Sequence, residues 1–360
     1  MAPDQINIAI AGAGLMGRLL AWCLSNKGHQ ITLFDSGTLE KPTGACHTAA
    51  GMISPLSELF HCPPPIYQLG LQSLQHWPQW ATQLEQQTGI PVDYRQKGSI
   101  LIAHPQDRNE LLQFQQELNA KLPPENQNQL QWLEHQALQN LEPDLDRFDQ
   151  GLYLGPEADI DNRKLLPALR EAIAQNQVTL RENTQVDCEE NTIITVTTRE
   201  NFDVVIDTRG LGAREQIQGL RGVRGEVMVV ETPEVHLHRP VRLLHPRYQL
   251  YAVPRANNQT VIGATEIESD DLSPISLRST MELSSALYSI HPAFVEARVI
   301  ETRVNCRPAT MDNLPVVQSS PGLIRVNGLF RHGYLLAPTL VQQVETQIEM
   351  ITDKQVTPCN

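Results

Sequence analysis

The residues best suited to chemistry are two arginines, Arg307 and Arg331, because each adjoins a pattern that ends a strand or begins a helix. An apolar segment over 323–326 runs into Gly328, and after Gly333 apolar residues recur at three- and four-residue steps, which predicts a helix. The free N–H groups of a helix's first turn and the helix dipole both favour negative charge. The pattern predicts an anion-binding turn, although a buried strand-turn-helix with two surface arginines fits it equally well.

A second chemical pattern lies at the other end of the chain, over 6–35. A short β-branched strand precedes Gly12, Gly14 and Gly17, and a helical pattern then leads to a second strand that ends at Asp35. In a dinucleotide site such glycines allow a tight turn, close approach of a pyrophosphate, and close packing of helix on strand. The terminal acid is placed to accept ribose hydroxyls. The unit predicts dinucleotide binding but does not separate NAD from the ADP half of FAD.

Composition limits the other functions. At 360 residues the chain is long enough for two domains, and its 28 Lys and Arg against 41 Asp and Glu give a formal net charge of −13. Such an acidic chain repels phosphate backbones, so no nucleic-acid partner is expected. No apolar run approaches membrane-spanning length, and the glycine-broken N-terminus lacks a basic leader, so neither a membrane partner nor a signal peptide is expected. Six cysteines without a CxxC pair favour a reducing, cytoplasmic location.

The middle of the chain predicts the elements that must position these residues. The small-residue stretch 43–55 has neither helical nor strand periodicity and predicts a loop that a ligand can approach closely. An amphipathic pattern over 65–85 predicts a helix, and 98–103 predicts a strand. The Gln-, Glu- and Leu-rich segment 106–142 is interpreted as surface helices of a cap. Between 161 and 180 the pattern returns to a helix followed by a strand.

Two later segments separate the chain into two kinds of structure. Over 201–214 a hydrophobic strand again leads into glycines, which suggests that the nucleotide-binding domain resumes after an insertion. Over 223–265 three strand-like runs, two of them joined by Asn257-Asn258, predict antiparallel sheet with a hairpin turn. Ser279 and Glu282 have the spacing of a capping box and predict the start of a helix. The predicted fold interleaves an α/β nucleotide-binding domain with an antiparallel substrate domain.

Several short motifs occur in a characteristic order along the chain. They are GAGLMG, GACHTAAGM, FDVVIDTRGLGAR, RGEVM, YAVPR, VIGAT, CRPATMDNLPVV and FRHGYLLAP. This succession resembles the D-amino-acid-oxidase-type flavoprotein family and, within it, the glycine oxidases that serve thiamine biosynthesis. The resemblance runs almost end to end and is weakest over 56–150. It implies a Rossmann-like FAD-binding domain over 1–90, 152–222 and 307–360, with the substrate-binding domain over 91–151 and 223–306.

The resemblance implies that the dinucleotide is FAD. Asp35 replaces the Glu of many family members, and the shorter acid is expected to serve the ribose as well. Some relatives attach the flavin to a cysteine near the position of Cys306, but the register here differs, so non-covalent FAD is expected. Contacts with pyrophosphate, ribose, adenine and the flavin ring are implied for Gly12, Gly14, Leu15, Met16, Gly17, Asp35, Ser36, Ala45, Cys46, Ala50, Gly51, Met52, Val186, Leu329, Phe330, Arg331, His332, Gly333, Tyr334 and Leu335.

The resemblance also implies how a substrate binds. Arg307 is expected to clamp an amino-acid carboxylate through two hydrogen bonds, and Tyr251 to donate its hydroxyl to the same carboxylate. Arg331 and Met52 are expected beside the substrate, while a half-buried sheet aromatic is the structural alternative for Tyr251. No acid–base triad is expected, and neither is a metal, because a neutral amine can pass its hydride directly to the flavin.

The implied reaction is the oxidation of glycine, sarcosine or D-alanine by molecular oxygen, giving a 2-oxo acid such as glyoxylate, ammonia and hydrogen peroxide. The resemblance leaves room for a homo-oligomer and for a functional link to a thiazole synthase, which would take the imine. Three alternatives stay open: a flavin-dependent D-amino-acid dehydrogenase that reduces a quinone, an NAD-dependent dehydrogenase, and a tRNA-modifying flavoprotein. The last should bring a basic surface or a fused methyltransferase domain, and this acidic chain shows neither.

Overall fold

The computed structural model describes the backbone of residues 5–245 and 248–356. Within these residues the strands are β1 (Asn7–Ala11), β2 (Gln30–Phe34), β3 (Met52–Ile53), β4 (Ser99–Ala103), β5 (Leu130–Glu134), β6 (Gln150–Leu154), β7 (Ala158–Asp159), β8 (Thr179–Arg181), β9 (Asp187–Glu189), β10 (Thr192–Ile194), β11 (Arg199–Asn201), β12 (Val204–Asp207), β13 (Arg221–Glu231), β14 (Val241–His245), β15 (Tyr248–Pro254), β16 (Gln259–Gly263), β17 (Ile267–Glu268), β18 (Arg298–Ala309), β19 (Val316–Ser320) and β20 (Leu323–Asn327). The α-helices are α1 (Leu15–Asn26), α2 (Ala45–Thr48), α3 (Pro55–Leu59), α4 (Pro64–Thr88), α5 (Arg108–Lys121), α6 (His135–Leu141), α7 (Asn162–Gln175), α8 (Leu277–Ile290) and α9 (Gly333–Val356).

A six-stranded sheet carries both chemical patterns. Its strand order is β19-β20-β12-β1-β2-β8, and every neighbouring pair is parallel except β19 with β20. The predicted strands 6–10 and 201–207 therefore lie side by side, although about two hundred residues separate them along the chain. This adjacency is the one expected when a nucleotide-binding domain is interrupted and then resumed.

The predicted C-terminal helix is confirmed and packs on this sheet as α9. Glycine at 328 has a φ of 70° and Phe330 a φ of 49°, so the chain reverses sharply between β20 and the helix. The apolar face of α9 is buried in the core with α1, α4 and α7 and consists of Leu336, Leu340, Val341, Val344 and Ile348. Burial of this face fixes the position of the turn 328–332 relative to the sheet.

The second large sheet has the order β17-β13-β16-β15-β14-β4-β6-β5, with β18 also paired to β13. All its pairs are antiparallel except β14 with β4. The hairpin predicted at Asn257-Asn258 joins β15 to β16, and both asparagines have positive φ, at 60° and 56°. Together the two sheets confirm the predicted fold class of an α/β unit interleaved with an antiparallel one.

Three local predictions require correction. Segment 106–142 is not helical throughout, because 130–134 forms β5 and pairs with β6. The predicted loop 43–55 contains the short helix α2 and the short strand β3. The predicted capping box is displaced by three residues, because α8 begins at Leu277 and the Ser276 hydroxyl accepts the N–H of Ser279. Because the Ser276 hydroxyl accepts a free N–H group of the first turn, the helix begins before the predicted Ser279–Glu282 pair.

The predicted domain ranges stay a prediction. Two strands cross the predicted boundaries, because β6 continues from 150 to 154 and β18 extends to 309. β18 ends beside the turn 328–332, since Ala309 forms a β-bridge with Leu329. This bridge brings the end of the antiparallel sheet next to the turn that precedes α9. In the described part of the chain, none of the helices combines the length and apolar composition needed to cross a membrane.

Replacing Leu340 with alanine tests whether α9 is held by its buried face. Leu340 is 1% exposed, so Leu340→Ala should lower the free energy of unfolding by about 2–5 kcal/mol through lost apolar burial and a cavity. Urea unfolding followed by circular dichroism would measure this change. The matched control is Gln343→Ala on the exposed face of α9, which should unfold at the wild-type urea concentration. Equal midpoints for the two variants would contradict the packing described here.

Candidate active site

A single large cavity of about 1290 Å³ is lined by residues from both sheets and by the turn before α9. Of the twenty-two residues expected to contact FAD or substrate, the structure places twenty on this lining, including Tyr251, Arg307 and Arg331. Gly17 and Val186 are the two that do not line it. The cavity therefore brings together residues from both ends of the chain.

The glycine turn after β1 is shaped by close backbone contacts. Gly12 has a φ of 97°, and a Cβ placed on it would lie 2.8 Å from the carbonyl oxygen of Thr208. A Cβ on Gly17 would lie 1.8 Å from the carbonyl oxygen of Gly12, so Gly17 serves the packing of α1 on the turn and not the lining itself. Helix α1 begins at Leu15 without a side-chain cap, which leaves its first N–H groups available to an anion.

Asp35 lies directly after β2 on the cavity lining. Its Oδ2 accepts the N–H of Ala13 at 2.6 Å, and its Oδ1 accepts the N–H of Gly37 at 2.7 Å. The carboxylate thus supports the glycine turn, and each oxygen keeps a further lone pair for a ribose hydroxyl. Contact with the ribose stays a prediction.

Sequence reasoning missed several residues that hold the cavity wall in place. The buried guanidinium of Arg18 donates to the carbonyl oxygens of Ala13, Leu39 and Leu166. The side-chain amide of Asn162 donates to the carbonyls of Cys46 and His47, and the Tyr334 hydroxyl also donates to Cys46 at 2.8 Å. No motif marks Asn162, because its hydrogen-bond partners are backbone carbonyls more than a hundred residues away in the sequence.

Val186 was expected to reach adenine through its backbone. Its side chain is buried, and its carbonyl oxygen accepts a hydrogen bond from Nη1 of Arg209 at 2.6 Å. Arg209 also pairs with Asp207 and lines the cavity, whereas Val186 does not. The adenine contact of Val186 stays a prediction, and Arg209 is the residue between it and the cavity.

Arg307 is a partly buried cation on β18 that is held by backbone carbonyls. Its Nη1 donates to the carbonyl of Thr265 at 3.1 Å and to that of Arg224 at 3.4 Å. No salt bridge to Arg307 is formed by any carboxylate within residues 5–245 and 248–356. A Cβ on Gly225 would lie 2.4 Å from Nη2, so only glycine there leaves room for the guanidinium. Desolvation by burial lowers the pKa of Arg307, while the nearby hydroxyl of Tyr251 and carboxylate of Glu266 oppose that effect.

Tyr251 lies on β15 with its hydroxyl against Gly263. A Cβ on Gly263 would lie 2.8 Å from this hydroxyl oxygen, so Gly263 provides the space for Tyr251. Burial raises the pKa of the phenol above its usual value, although Arg307 and Arg242 lower it in part. The hydroxyl is therefore a proton donor at neutral pH, and it faces the same cavity as Arg307.

Arg331 also lines the cavity, but its charge is already engaged. Its Nε donates to Oε2 of Glu58 at 2.8 Å, and its Nη1 lies 3.2 Å from Oε2 of Glu266. Both carboxylates raise the pKa of Arg331. Arg331 is thus close to the predicted substrate position but differs from Arg307 in having two carboxylate partners.

Glu58 is the acid that sequence reasoning missed. Its Oε2 lies 2.9 Å from Nε2 of His332, and its Oε1 lies 3.5 Å from Nη2 of Arg242. Burial alone would raise the pKa of Glu58, but Arg331, His332 and Arg242 together lower it well below its usual range. Glu58 was missed because α3 carries no motif, and its partners come from β14 and the turn before α9.

Two cysteines beside the cavity have thiol and not thiolate character. Burial and the Glu58 carboxylate raise the pKa of Cys62 to about 11, and its Sγ lies 3.3 Å from Nε2 of His332. Glu58, Cys62 and His332 are near enough to one another to hold a metal ion, but Arg331 donates to the same Glu58 oxygen that a metal would need. Burial also raises the pKa of Cys306, whose Sγ donates to the carbonyl of Ser269 at 3.4 Å.

Comparison with known proteins gives consistent matches over nearly the whole chain. The family model described as FAD dependent oxidoreductase, DAO, matches residues 7–342. A protein of Rhizobium etli whose name assigns it as a thiamine biosynthesis oxidoreductase, ThiO, is 38% identical over 347 residues, covering 95% of this chain and 96% of that protein. A bifunctional protein ThiO/ThiG of a Synechocystis species is 26% identical and covers 98% of this chain but 52% of its own length.

A solved structure agrees with these matches. The crystal structure of glycine oxidase from Geobacillus kaustophilus superposes with a TM-score of 0.82 at 26% identity, covering 99% of this chain and 96% of that one. The uncapped start of α1, the tight glycine turn, Asp35 and the large cavity all fit FAD, the cofactor of this family. The sequence, the fold and the cavity therefore all indicate an FAD-binding flavoprotein, and the chain belongs to the DAO family of FAD-dependent oxidoreductases.

Proposed function

We propose that this enzyme oxidises glycine and other small amines that carry one carboxylate, such as sarcosine and D-alanine. The observation that supports this most directly is the guanidinium of Arg307, which lines the cavity and, among the described residues, has hydrogen bonds only to backbone carbonyls. The Tyr251 hydroxyl is on the same lining. A planar guanidinium offers a carboxylate two parallel hydrogen bonds, and the phenol adds a third donor. Glycine oxidase and ThiO among the relatives favour a small amino acid.

Bound FAD would supply the redox chemistry, which is acceptance of a hydride from the substrate α-carbon and transfer of the two electrons to molecular oxygen to give hydrogen peroxide. The residues of the chain bind and orient the substrate. Arg307 and Tyr251 hold the carboxylate, while Gly225 and Gly263 keep both side chains in place. The amine reacts in its neutral form, so no catalytic base is required, and Tyr251 stays protonated as a donor. Water hydrolyses the resulting imine to ammonia and a 2-oxo acid, which is glyoxylate when glycine is the substrate.

The biological role that we propose is supply of the imine of glycine to a thiazole synthase in thiamine biosynthesis, in the cytoplasm. The relatives named ThiO support a thiamine role, and the ThiO/ThiG protein joins a region like this chain to a second one. No base or nucleophile of this chain is needed to pass the imine on. Reaction with oxygen, rather than reduction of a quinone, is tested directly by oxygen uptake with the purified protein.

The substrate range is the first test of this proposal. Glycine, sarcosine and D-alanine should give hydrogen peroxide in a coupled assay, and D-forms should be preferred to L-forms for larger substrates. Bulky D-amino acids should react more slowly than these three substrates, because the motifs favour small amines. A clear preference for bulky D-amino acids, with glycine inert, would overturn the substrate assignment while leaving the family intact.

Replacement of Arg307 tests the carboxylate clamp. Arg307→Ala removes one partner of a charge-assisted pair, which typically costs about 2–5 kcal/mol, or roughly thirty- to several-thousand-fold in kcat/KM for glycine. Arg307→Lys should recover part of the loss, because an ammonium lacks the planar fork. An amine without a carboxylate should lose far less with either variant.

The control for these variants is Arg199→Ala, which removes an exposed arginine paired with Glu189 outside the cavity lining. It should keep wild-type kcat/KM, and all variants should keep the flavin absorption spectrum. Near wild-type oxidation of glycine by an FAD-loaded Arg307→Ala enzyme would mean that another residue binds the carboxylate, and Arg331 would be examined next.

We also propose that FAD is held without a covalent bond. The Cys306 thiol donates to a backbone carbonyl and is protonated because burial raises its pKa. Acid precipitation should therefore release the yellow flavin into the supernatant, and Cys306→Ser should release the same amount. Flavin that remains with the precipitated wild-type protein but not with Cys306→Ser would identify Cys306 as an attachment site.

A further inference from the structure

The central part of the cavity contains five charged side chains that influence one another. Three are arginines and two are carboxylates: Arg242, Arg307, Arg331, Glu58 and Glu266. Glu58 pairs with Arg331 and Arg242, and Glu266 pairs with Arg331. The three cations and two anions leave a single positive charge, which falls on Arg307 because it has hydrogen bonds only to carbonyls among the described residues.

The other polar groups around these five side chains are the Cys62 thiol, the His332 ring and an arginine–glutamate pair towards α8. The Cys62 thiol is neutral, since its pKa is raised to about 11. His332 directs Nε2 at Glu58, and its Nδ1 is buried without a hydrogen-bond partner in the part of the chain that the structure describes. The His332 ring therefore belongs, with Arg331 and Arg242, to the groups that converge on the Glu58 carboxylate. Towards α8 the cavity lining adds Arg278 and Glu282, whose charges offset each other.

The guanidinium of Arg242 has a hydrogen-bond donor that could bind an anion. It lies directly opposite Tyr251 in the β14–β15 ladder, so both side chains project from the same face of the sheet. Its Nε is buried without a hydrogen-bond partner among the described residues, and its one ion pair, with Glu58, spans 3.5 Å. Without the Glu58 charge, Arg242 would lose its one ion-pair partner among the described residues, and the buried Glu157, whose pKa desolvation raises and Arg242 lowers in part, would remain as an acid near it.

We propose that Glu58 is a specificity-determining residue that limits the substrate to amines with one carboxylate, because its charge neutralises the cations beside Arg307. The inference rests on the proposed function only in taking a carboxylate as the group bound by Arg307. A substrate with a second carboxylate would bring its charge towards Glu58 and Glu266, whose negative charges already offset Arg242 and Arg331. At short range and low dielectric such an imbalance disfavours binding by an order of magnitude or more.

A pair of unreactive ethers tests this inference by binding alone. Methoxyacetate and oxydiacetate match sarcosine and iminodiacetate with an ether oxygen in place of the amine, and they differ from each other by one carboxylate. Isothermal titration calorimetry of the FAD-loaded enzyme gives a dissociation constant for each. The wild-type enzyme should bind methoxyacetate at least about tenfold more tightly than oxydiacetate.

The variants separate charge from shape. Glu58→Gln should shift the ratio of the two dissociation constants towards oxydiacetate by about tenfold or more, whereas Glu58→Asp, which keeps the charge, should keep the wild-type preference. Glu266→Gln should give a smaller shift in the same direction, because its side chain is 50% exposed and therefore screened. If Glu58→Gln folds poorly, the Glu266→Gln variant still tests the inference. Glu189→Gln, at an exposed arginine-paired glutamate outside the cavity, is the matched control and should give no shift.

Two results would overturn the inference. One is tighter or equal binding of oxydiacetate by the wild-type enzyme, and the other is an unchanged ratio in both Glu58→Gln and Glu266→Gln. Because the ethers are not oxidised, these results do not depend on turnover. Oxidation of glycine and sarcosine, measured separately with the wild-type enzyme, decides the proposed function.

Discussion

The constraint on which the cavity depends is the Arg307 guanidinium, which lies in a largely desolvated site and forms no ion pair with any carboxylate of the residues that the structure describes. Burial of an unpaired charge is costly, and the chain offsets this cost at Arg307 with two backbone carbonyls and with the nearby Tyr251 and Glu266. Glycine at 225 is required because any side chain there would occupy the guanidinium's space. In the function that we propose, the substrate carboxylate supplies the ion-pair partner that the described residues do not give to Arg307.

The features that could be predicted from the sequence are those with a local physical cause. The glycine turn and the strand before it were predictable, because a glycine motif and a run of β-branched residues each show within a few neighbouring positions of the sequence. Helix α9 was predictable from its apolar spacing, and its buried face matches that spacing residue by residue. The start of α8 was misplaced because two serine-led patterns overlap there, and the earlier serine caps the helix.

The features that could not be predicted depend on contacts between distant segments. Glu58 has no neighbour in sequence that marks it, since its partners lie on β14 and in the turn before α9. Arg331 was expected beside the substrate, which stays a prediction; it lies on the cavity lining, and its pairing with Glu58 and Glu266 could not be predicted from a motif. Strand β5 was hidden in a polar, helix-favouring segment and owes its conformation to pairing with β6.

The interleaved topology has a consequence for how the polypeptide acquires its structure during synthesis. The first strand of the nucleotide-binding sheet pairs with β12, and β12 in turn pairs with β20, so the sheet joins residues from positions 7 to 327. Such long-range pairing requires closure of large loops, which slows folding. The apolar strand β1 therefore meets its neighbour β2 early in synthesis, but its other neighbour, β12, is made only much later. The sheet and the core beneath α9 can close only once residues 323–356 have been translated, so apolar strands of the nascent chain stay without their final neighbours until synthesis is almost complete.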